Sequence, residues 1–158
     1  MSRSSKSYYP IFHSSLDGIY FSFWIGKFNN LLTKEGKLNL VENQISAIHF
    51  YSKTQRIAPA SLILENLLKV KPIFSLSSSV VHGKEQQTPA LLNQHKQLQL
   101  ATRWISSLVT ERKEQKLSHR FYNELSSIAI DKRHPLIQRR DKIFKLVMKS
   151  RSTFRYSK

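Results

Sequence analysis

The chain lacks cysteine altogether and has only four glycines and ten acidic residues among its 158 positions. Without cysteine it can form no disulfide bond, no thiolate zinc site and no cysteine nucleophile. No apolar run approaches the roughly 20 residues that cross a bilayer as a helix, so we expect no membrane association. The histidines show no ligand spacing, and we therefore expect no metal site and no cofactor.

Positive charge is what the chain has in excess. Its 26 lysines and arginines against ten acids give a formal net charge of +16. Hydrophobic residues make up 40% of the sequence, which is too many for a disordered basic tail and enough for the core of one domain. A folded domain with so one-sided a charge is typical of a protein that binds a polyanion, and nucleic acid is the obvious one.

The last 27 residues combine this charge with helical periodicity. Residues 132–158 contain ten basic residues and a single acid, Asp141. They also hold apolar residues at helical spacing, which are Leu136, Ile137, Ile143, Phe144 and Val147. The pattern predicts a folded helix that contacts a polyanion.

Spacings of three and four residues predict helices through most of the chain. Helix one carries an apolar stripe made of Phe21, Trp24, Ile25, Phe28, Leu31 and Leu32, and Gly36 follows its end. Asn39 with Glu42 predicts the N-cap and partial capping box of helix two. Pro59 opens helix three, whose stripe is Ile63, Leu64, Leu67 and Leu68, and Pro72 stops this helix near Lys71.

Between about residues 73 and 92 the period changes to two. Phe74, Leu76, Ser78 and Val80 alternate, the pair His82-Gly83 supplies a turn, and a return strand follows. The faces of this predicted hairpin are so polar that we expect it to bury little and to project. Three more helices follow, marked by Leu98, Ala101, Ile105 and Leu108, then by Phe121, Leu125 and Ile128, and finally by Pro135.

The predicted fold is mainly α, a six-helix bundle with one protruding two-stranded β-hairpin inserted between helices three and four. Residues 1–15 form a basic N-terminal arm, 16–150 a single helical domain, and 151–158 a basic C-terminal tail. We expect the aromatic residues on helical stripes to lie in the core rather than to stack on bases; these are Trp24, Phe28, Phe50, Trp104 and Phe121.

Two other function classes fit the sequence less well. A hydrolase could use Ser118, His119 and Glu124, but adjacent residues in one helical turn do not orient a nucleophile toward a base, and no phosphate loop is present. We therefore expect no enzyme and no small-molecule substrate. The alternative is a helical DNA-binding or architectural protein, although the predicted loop SKTQRIAP between helices two and three is too long for a helix-turn-helix.

Four segments resemble the small-subunit ribosomal protein seven family in collinear order over roughly residues 20–156. They are KFNNLLTKEGKLNLVENQISAI at 27–48, LATRWISSLVTERK at 100–113, RFYNELSSIA at 120–129 and QRRDKIFK at 138–145. Gly36 and Lys37 match the family's turn, and Arg103 and Trp104 match its Arg-Trp pair. Around residues 78–82 the chain departs from the family's basic hairpin sequence, which puts direct hairpin contact with RNA in doubt.

The resemblance implies a structural constituent of the small ribosomal subunit that acts in translation as a primary rRNA-binding protein. It also implies that the protein nucleates the head, or 3′ major domain, beside neighbouring head proteins. The hairpin would reach toward the exit-site tRNA and the mRNA exit path. A composition dense in Ser, Leu, Lys, Ile and Phe favours an organellar member, in the mitochondrion first and in a plastid as the alternative.

Basic residues concentrate at the ends of the predicted elements, where one multi-sided RNA can contact them together. The predicted rRNA-binding residues are Arg3, Lys6, Lys34, Lys37, Lys69, Lys71, Lys96, Arg103, Arg112, Lys113, Lys116, Arg139, Arg140, Lys142, Arg151 and Arg155. The predicted tRNA- and mRNA-proximal hairpin residues are His82, Gly83 and Lys84.

Overall fold

A computed structural model describes residues 15–48, 51–52, 59–81 and 84–150, with side chains for 23–48, 51–52, 60–76 and 88–150. This part of the chain contains six helices and one two-stranded sheet. In chain order they are α1 (Ser15–Leu32), α2 (Leu38–Ser46), α3 (Pro59–Val70), β1 (Phe74–Val81), β2 (Lys84–Leu91), α4 (Gln94–Glu111), α5 (Leu117–Ile130) and α6 (Pro135–Lys149). The predicted mainly helical fold, with its hairpin between the third and fourth helices, is confirmed.

A tight turn joins α1 to α2. Glu35 and Gly36 both have positive φ, 55° and 70°, and the Lys37 N–H donates to the Lys34 carbonyl at 3.1 Å. Since a Cβ on Gly36 would meet nothing within 4 Å, backbone conformation rather than space favours glycine here. The turn brings the chain into helical geometry at Leu38. The predicted N-cap at Asn39 is therefore wrong; Lys37 holds that position and makes no side-chain cap.

Prolines mark helix ends where the sequence predicted them. Pro59 is the first residue of α3 and Pro135 the first of α6, positions at which the missing N–H leaves no helical bond unmade. Pro72 follows the end of α3 at Val70 by two residues, consistent with its exclusion of helical geometry from the residue before it.

The hairpin pairs antiparallel from Phe74↔Leu91 to Val81↔Lys84. The predicted turn residues His82 and Gly83 lie outside the described residues. At the base, Phe74 lies against Phe144 of α6, with 6.4 Å between the ring centres, and Thr88 and Pro89 are buried. The expectation that the hairpin buries little is thus wrong at its base, because the strands leave the bundle along α6.

The core lies where all six helices meet. It contains Trp24, Phe28, Leu32, Val41, Ile45, Ile48, Leu62, Ile63, Leu67, Val70, Ala101, Trp104, Ile105, Val109, Phe121, Leu125, Ile128 and Leu136. Phe28 and Phe121 meet edge to face at 5.0 Å between ring centres. The core assignment of four stripe aromatics is confirmed, while Phe50 lies outside the described residues.

Some apolar residues that the stripes predicted to be inside are exposed. Leu31, Leu68 and Phe144 are 43%, 53% and 48% exposed, because each lies at the flank of its helical stripe while a neighbour such as Leu32 or Leu67 takes the inward position. Within the part of the chain that the structure describes, no helix has the length and apolar character needed to cross a membrane.

Candidate nucleic-acid interface

The turn after α1 and the turn before α5 face each other across a groove of about 420 Å³. Its basic residues are Lys34, Lys37, Lys116 and Arg120. Lys34 and Lys37 were predicted from the sequence at one element end and Lys116 at another, and the fold brings these two ends to one place. Four cations around one concave surface raise the local potential and suit the phosphates of a folded polyanion better than scattered surface lysines do. We call this the basic groove.

Arg120 was missed by the sequence analysis, although it lies one helical turn after Lys116. Its guanidinium donates to the carbonyl of Glu114 and, at 3.2 Å, to that of Gln115. These bonds hold the turn between α4 and α5 and place a fourth charge in the basic groove. An i, i+4 pair of basic residues at a helix start was the signal that could have found it.

One acid accompanies the basic groove. Glu35 accepts from Lys37 at 2.6 Å, and both side chains are well exposed, at 76% and 60%. Solvent screens such an exposed ion pair, so the pair contributes little to the stability of the fold. A phosphate can therefore replace Glu35 as the partner of Lys37 at small cost.

The second basic surface is one side of α6. Arg139, Lys142, Lys145 and Lys149 are exposed there, spaced by three and four residues so that they share a face. We call these four residues the α6 basic face. The acid of this helix, Asp141, lies elsewhere and pairs with Arg140 at 2.8 Å. The apolar side of α6 buries Leu136 and Val147.

Arg139 and Arg140, predicted as equivalent, have different surroundings. The Arg139 guanidinium carbon lies over the Trp104 ring, 4.6 Å from its centre. Arg140 donates to the Lys69 carbonyl at 2.5 Å and to Asp141. Arg140 thus joins α6 to the end of α3, and its N–H groups are largely engaged within the protein.

Arg112 is also engaged internally. Its guanidinium bonds Glu124 at 2.6 Å, Glu114 at 3.0 Å and the Ser127 hydroxyl at 2.9 Å. Burial alone would lower the pKa of Arg112, but the hydrogen bonds that its guanidinium donates to Glu124 and Glu114 outweigh burial and raise the pKa above its ordinary value. The structure gives Arg112 a role in joining α4 to α5, and its contact with rRNA stays a prediction.

The carboxylates around Arg112 are themselves well fixed. The pKa of Glu114 is lowered most by a hydrogen bond from its own backbone and next by a hydrogen bond from the Asn123 side chain. Glu124 is buried and lies 3.1 Å from the Nε2 of His134, which is buried as well. The Nδ1 of His134 accepts a hydrogen bond from the Leu136 N–H at 3.3 Å, while its Nε2 faces the Glu124 carboxylate. His134 thereby caps α6 and ties it to α5.

The remaining predicted cations are spread around the bundle. Lys96 and Arg103 are exposed on one face of α4, two turns apart, and Lys113 is exposed just after that helix. Lys69 donates to the Ala129 carbonyl at 3.3 Å. Lys71 lines an apolar groove of about 320 Å³ between α3, β1 and α6.

Seven predicted site residues lie in the two termini or at the hairpin turn. Arg3, Lys6, His82, Gly83, Arg151 and Arg155 lie outside the described residues, and Lys84 begins β2 with its side chain outside them. Their contacts with RNA stay predictions. Among the described residues, no three His, Asp or Glu side chains gather as metal ligands would.

Comparison with known proteins finds one family over nearly the whole chain. Residues 3–151 match the model of the family described as ribosomal protein S7p/S5e. The chain is similar to the small ribosomal subunit protein uS7 of Dichelobacter nodosus, 29% identical over 147 residues, which covers 92% of each chain. It is also similar to the uS7 proteins of Syntrophus aciditrophicus, at 27% identity over 89% of this chain and 90% of the relative, and of Rickettsia canadensis, at 31% over 67% of each.

Proposed function

Since the chain belongs to the ribosomal protein S7p/S5e family, we propose that it is a structural protein of the small ribosomal subunit that binds the subunit's rRNA. The observation that carries the rRNA contact is the basic groove, in which two turns distant in sequence place four cations around one concave surface. The family membership supports the ribosomal setting, and the groove supports RNA as the direct ligand.

Binding would come from phosphate neutralisation at several points. Each Lys or Arg that pairs with a phosphate releases counterions, so many modest contacts add up to strong but salt-sensitive binding. The packed core of α1, α4 and α5 fixes the distance between the basic groove and the α6 basic face. Fixed distances between cationic surfaces recognise the shape of folded RNA rather than its base sequence.

We propose further that the protein nucleates the head of the subunit, with neighbouring head proteins beside it. The hairpin would then approach the exit-site tRNA and the mRNA path. Each strand has eight residues, which corresponds to about 24 Å of extension. The far end of the hairpin can therefore reach a ligand that the helical bundle does not touch. A structural rather than catalytic role follows from the same family membership.

A helical DNA-binding or architectural protein is the second candidate. The concave arrangement of the basic groove favours folded RNA over a straight duplex, because its cations come from loop ends rather than from one recognition helix. Filter binding at one salt concentration can separate the candidates. We expect tighter binding to a transcript of the 3′ domain of small-subunit rRNA than to duplex DNA of equal length, and the opposite order would favour the architectural protein.

For location, the mitochondrion stays our proposal, with a plastid as the alternative. Composition supports it, because glycine is scarce and residues that AT-rich codons encode are abundant. Immunolabelling of intact cells beside organelle markers tests this. Co-localisation with the mitochondrial marker is the expected result, and signal confined to plastids or to the cytosol would contradict it.

A further inference from the structure

Arg139 of α6 and Trp104 of α4 are 35 residues apart in sequence, yet the Arg139 guanidinium lies over the Trp104 ring at 4.6 Å from its centre. We propose that this pair is a stacking platform for one unpaired base of the bound RNA. Planar guanidinium groups stack on exposed bases in RNA recognition, and an aromatic ring beneath adds cation–π attraction. The inference rests on the proposed function, since it names how that RNA is held at this point.

Trp104 makes the platform rigid. It is 8% exposed and belongs to the core, so it fixes the position of the side chain above it. Arg139 itself is exposed. Because a long arginine side chain loses considerable rotamer freedom when it is fixed on a ligand, holding it beforehand lowers the cost of binding.

The N–H groups of Arg139 are open to a ligand. Among the carboxylates that the structure describes, none forms an ion pair with it, whereas the adjacent Arg140 is held by Asp141 and the Lys69 carbonyl. Anchored at Arg140 and capped by His134, α6 is fixed on both sides of this region. Among the described residues, Arg139 therefore has no recorded partner other than the Trp104 ring, which orients it.

Two exposed cations adjoin the platform. Arg103 precedes Trp104 in α4, and Lys142 lies one turn after Arg139 in α6. They are available for the phosphates that flank a stacked base, which would make the site a nucleotide site rather than a lone aromatic contact. The ligand class is thus a single-stranded nucleotide within a folded RNA, such as a bulge or loop residue.

The test compares Arg139→Lys with Arg133→Lys, an exposed arginine outside the basic groove and the α6 basic face, in the full chain. Lysine keeps the charge but lacks the planar group, so the change removes stacking and leaves phosphate attraction. Affinity for a transcript of the 3′ domain of small-subunit rRNA is measured over a range of salt. We expect Arg139→Lys to bind about tenfold more weakly with an unchanged salt slope and an unchanged unfolding temperature. Arg133→Lys should stay within about twofold of wild type.

Equal binding by Arg139→Lys and wild type would overturn the platform while leaving the proposed function intact. An equal loss in both variants would also overturn it, because it would show a general need for guanidinium groups. A lowered unfolding temperature in Arg139→Lys would make the pair a structural contact only. Failure of wild type to bind the transcript would instead overturn the proposed function, and the platform with it.

Trp104 supplies an independent readout. The chain has two tryptophans, so in a Trp24→Phe background the emission comes from Trp104 alone. We expect RNA to quench this emission, and expect Arg139→Lys to remove most of the quenching at saturating RNA. Quenching that persists unchanged in the lysine variant would contradict stacking at this position.

Discussion

Glu124 Oε1 lies 3.1 Å from Nε2 of His134, with both side chains buried. Through this contact α5 holds the residue that caps α6, and the other oxygen of Glu124 holds Arg112 at the end of α4. Three polar residues in contact, of which Glu124 and His134 are buried and Arg112 is half-buried, thus set where α6 lies relative to α4. Since Trp104 and Arg139 come from those two helices, these contacts also fix the geometry of the RNA-facing surface.

Replacing Glu124 by glutamine tests how much the contacts among Arg112, Glu124 and His134 contribute to stability. The variant keeps the shape but removes the charge that pairs with Arg112, and we expect a loss of about 2 kcal/mol in unfolding free energy. Urea denaturation measures it. The matched control is Glu42→Gln, an exposed carboxylate of α2, for which we expect almost no change. Similar losses in both variants would rule out a special role for the buried carboxylate.

The two roles of His134, capping α6 and contacting Glu124, can be tested separately. Alanine removes both the cap of α6 and the contact with Glu124, and should lower the unfolding free energy by about 1–2 kcal/mol. Asparagine restores a good cap without reaching Glu124, and should recover part of that loss. Thermal unfolding of the two variants gives the comparison. An asparagine variant no more stable than alanine would show that capping contributes nothing here.

The basic groove predicts a change in salt dependence. Replacing both Lys34 and Lys37 by glutamine should weaken binding to the 3′-domain transcript and reduce the slope of log affinity against log salt by about one to two. The control removes the same charge elsewhere, at Lys27 and Lys132. If the control pair weakens binding equally, the basic groove has no special part and net charge alone explains the affinity.

Arg140 should behave as a structural residue. Because it donates to the Lys69 carbonyl and Asp141, Arg140→Gln should lower the unfolding free energy by about 1 kcal/mol. Lys142→Gln, two positions on, should leave stability unchanged and reduce the salt slope of RNA binding. Calorimetry and filter binding on the same preparations separate the two effects, and a reversed pattern would refute this division of roles.

Part of the fold could be predicted from the sequence, and part could not. The helical stripes, the hairpin and the boundaries at Pro59 and Pro135 are local or periodic features, and they were predicted correctly. The Asn39 cap was not, since two successive positive φ values at Glu35 and Gly36 decide where α2 begins. Burial at stripe flanks, as for Leu68, depends on which helix packs alongside.

For the site, the sequence identified charges but not their partners. The sequence placed Lys34 and Lys37 at one turn and Lys116 at another, and only tertiary packing brings the two turns together with Arg120. Nothing local distinguishes Arg139 from Arg140, because Trp104 and the Lys69 carbonyl come from distant helices. Likewise Arg112 resembles any exposed arginine until Glu124 is found beside it in space.

The most direct measurement is sedimentation of a cell or organelle lysate through a sucrose gradient, at low salt and after a high-salt wash, with the protein followed by immunoblot. We expect the protein to stay with the small ribosomal subunit through the wash, because many phosphate contacts and a fixed shape hold it there. Release into the free fraction, or sedimentation with DNA, would contradict the claim that this chain is an rRNA-bound protein of the small subunit.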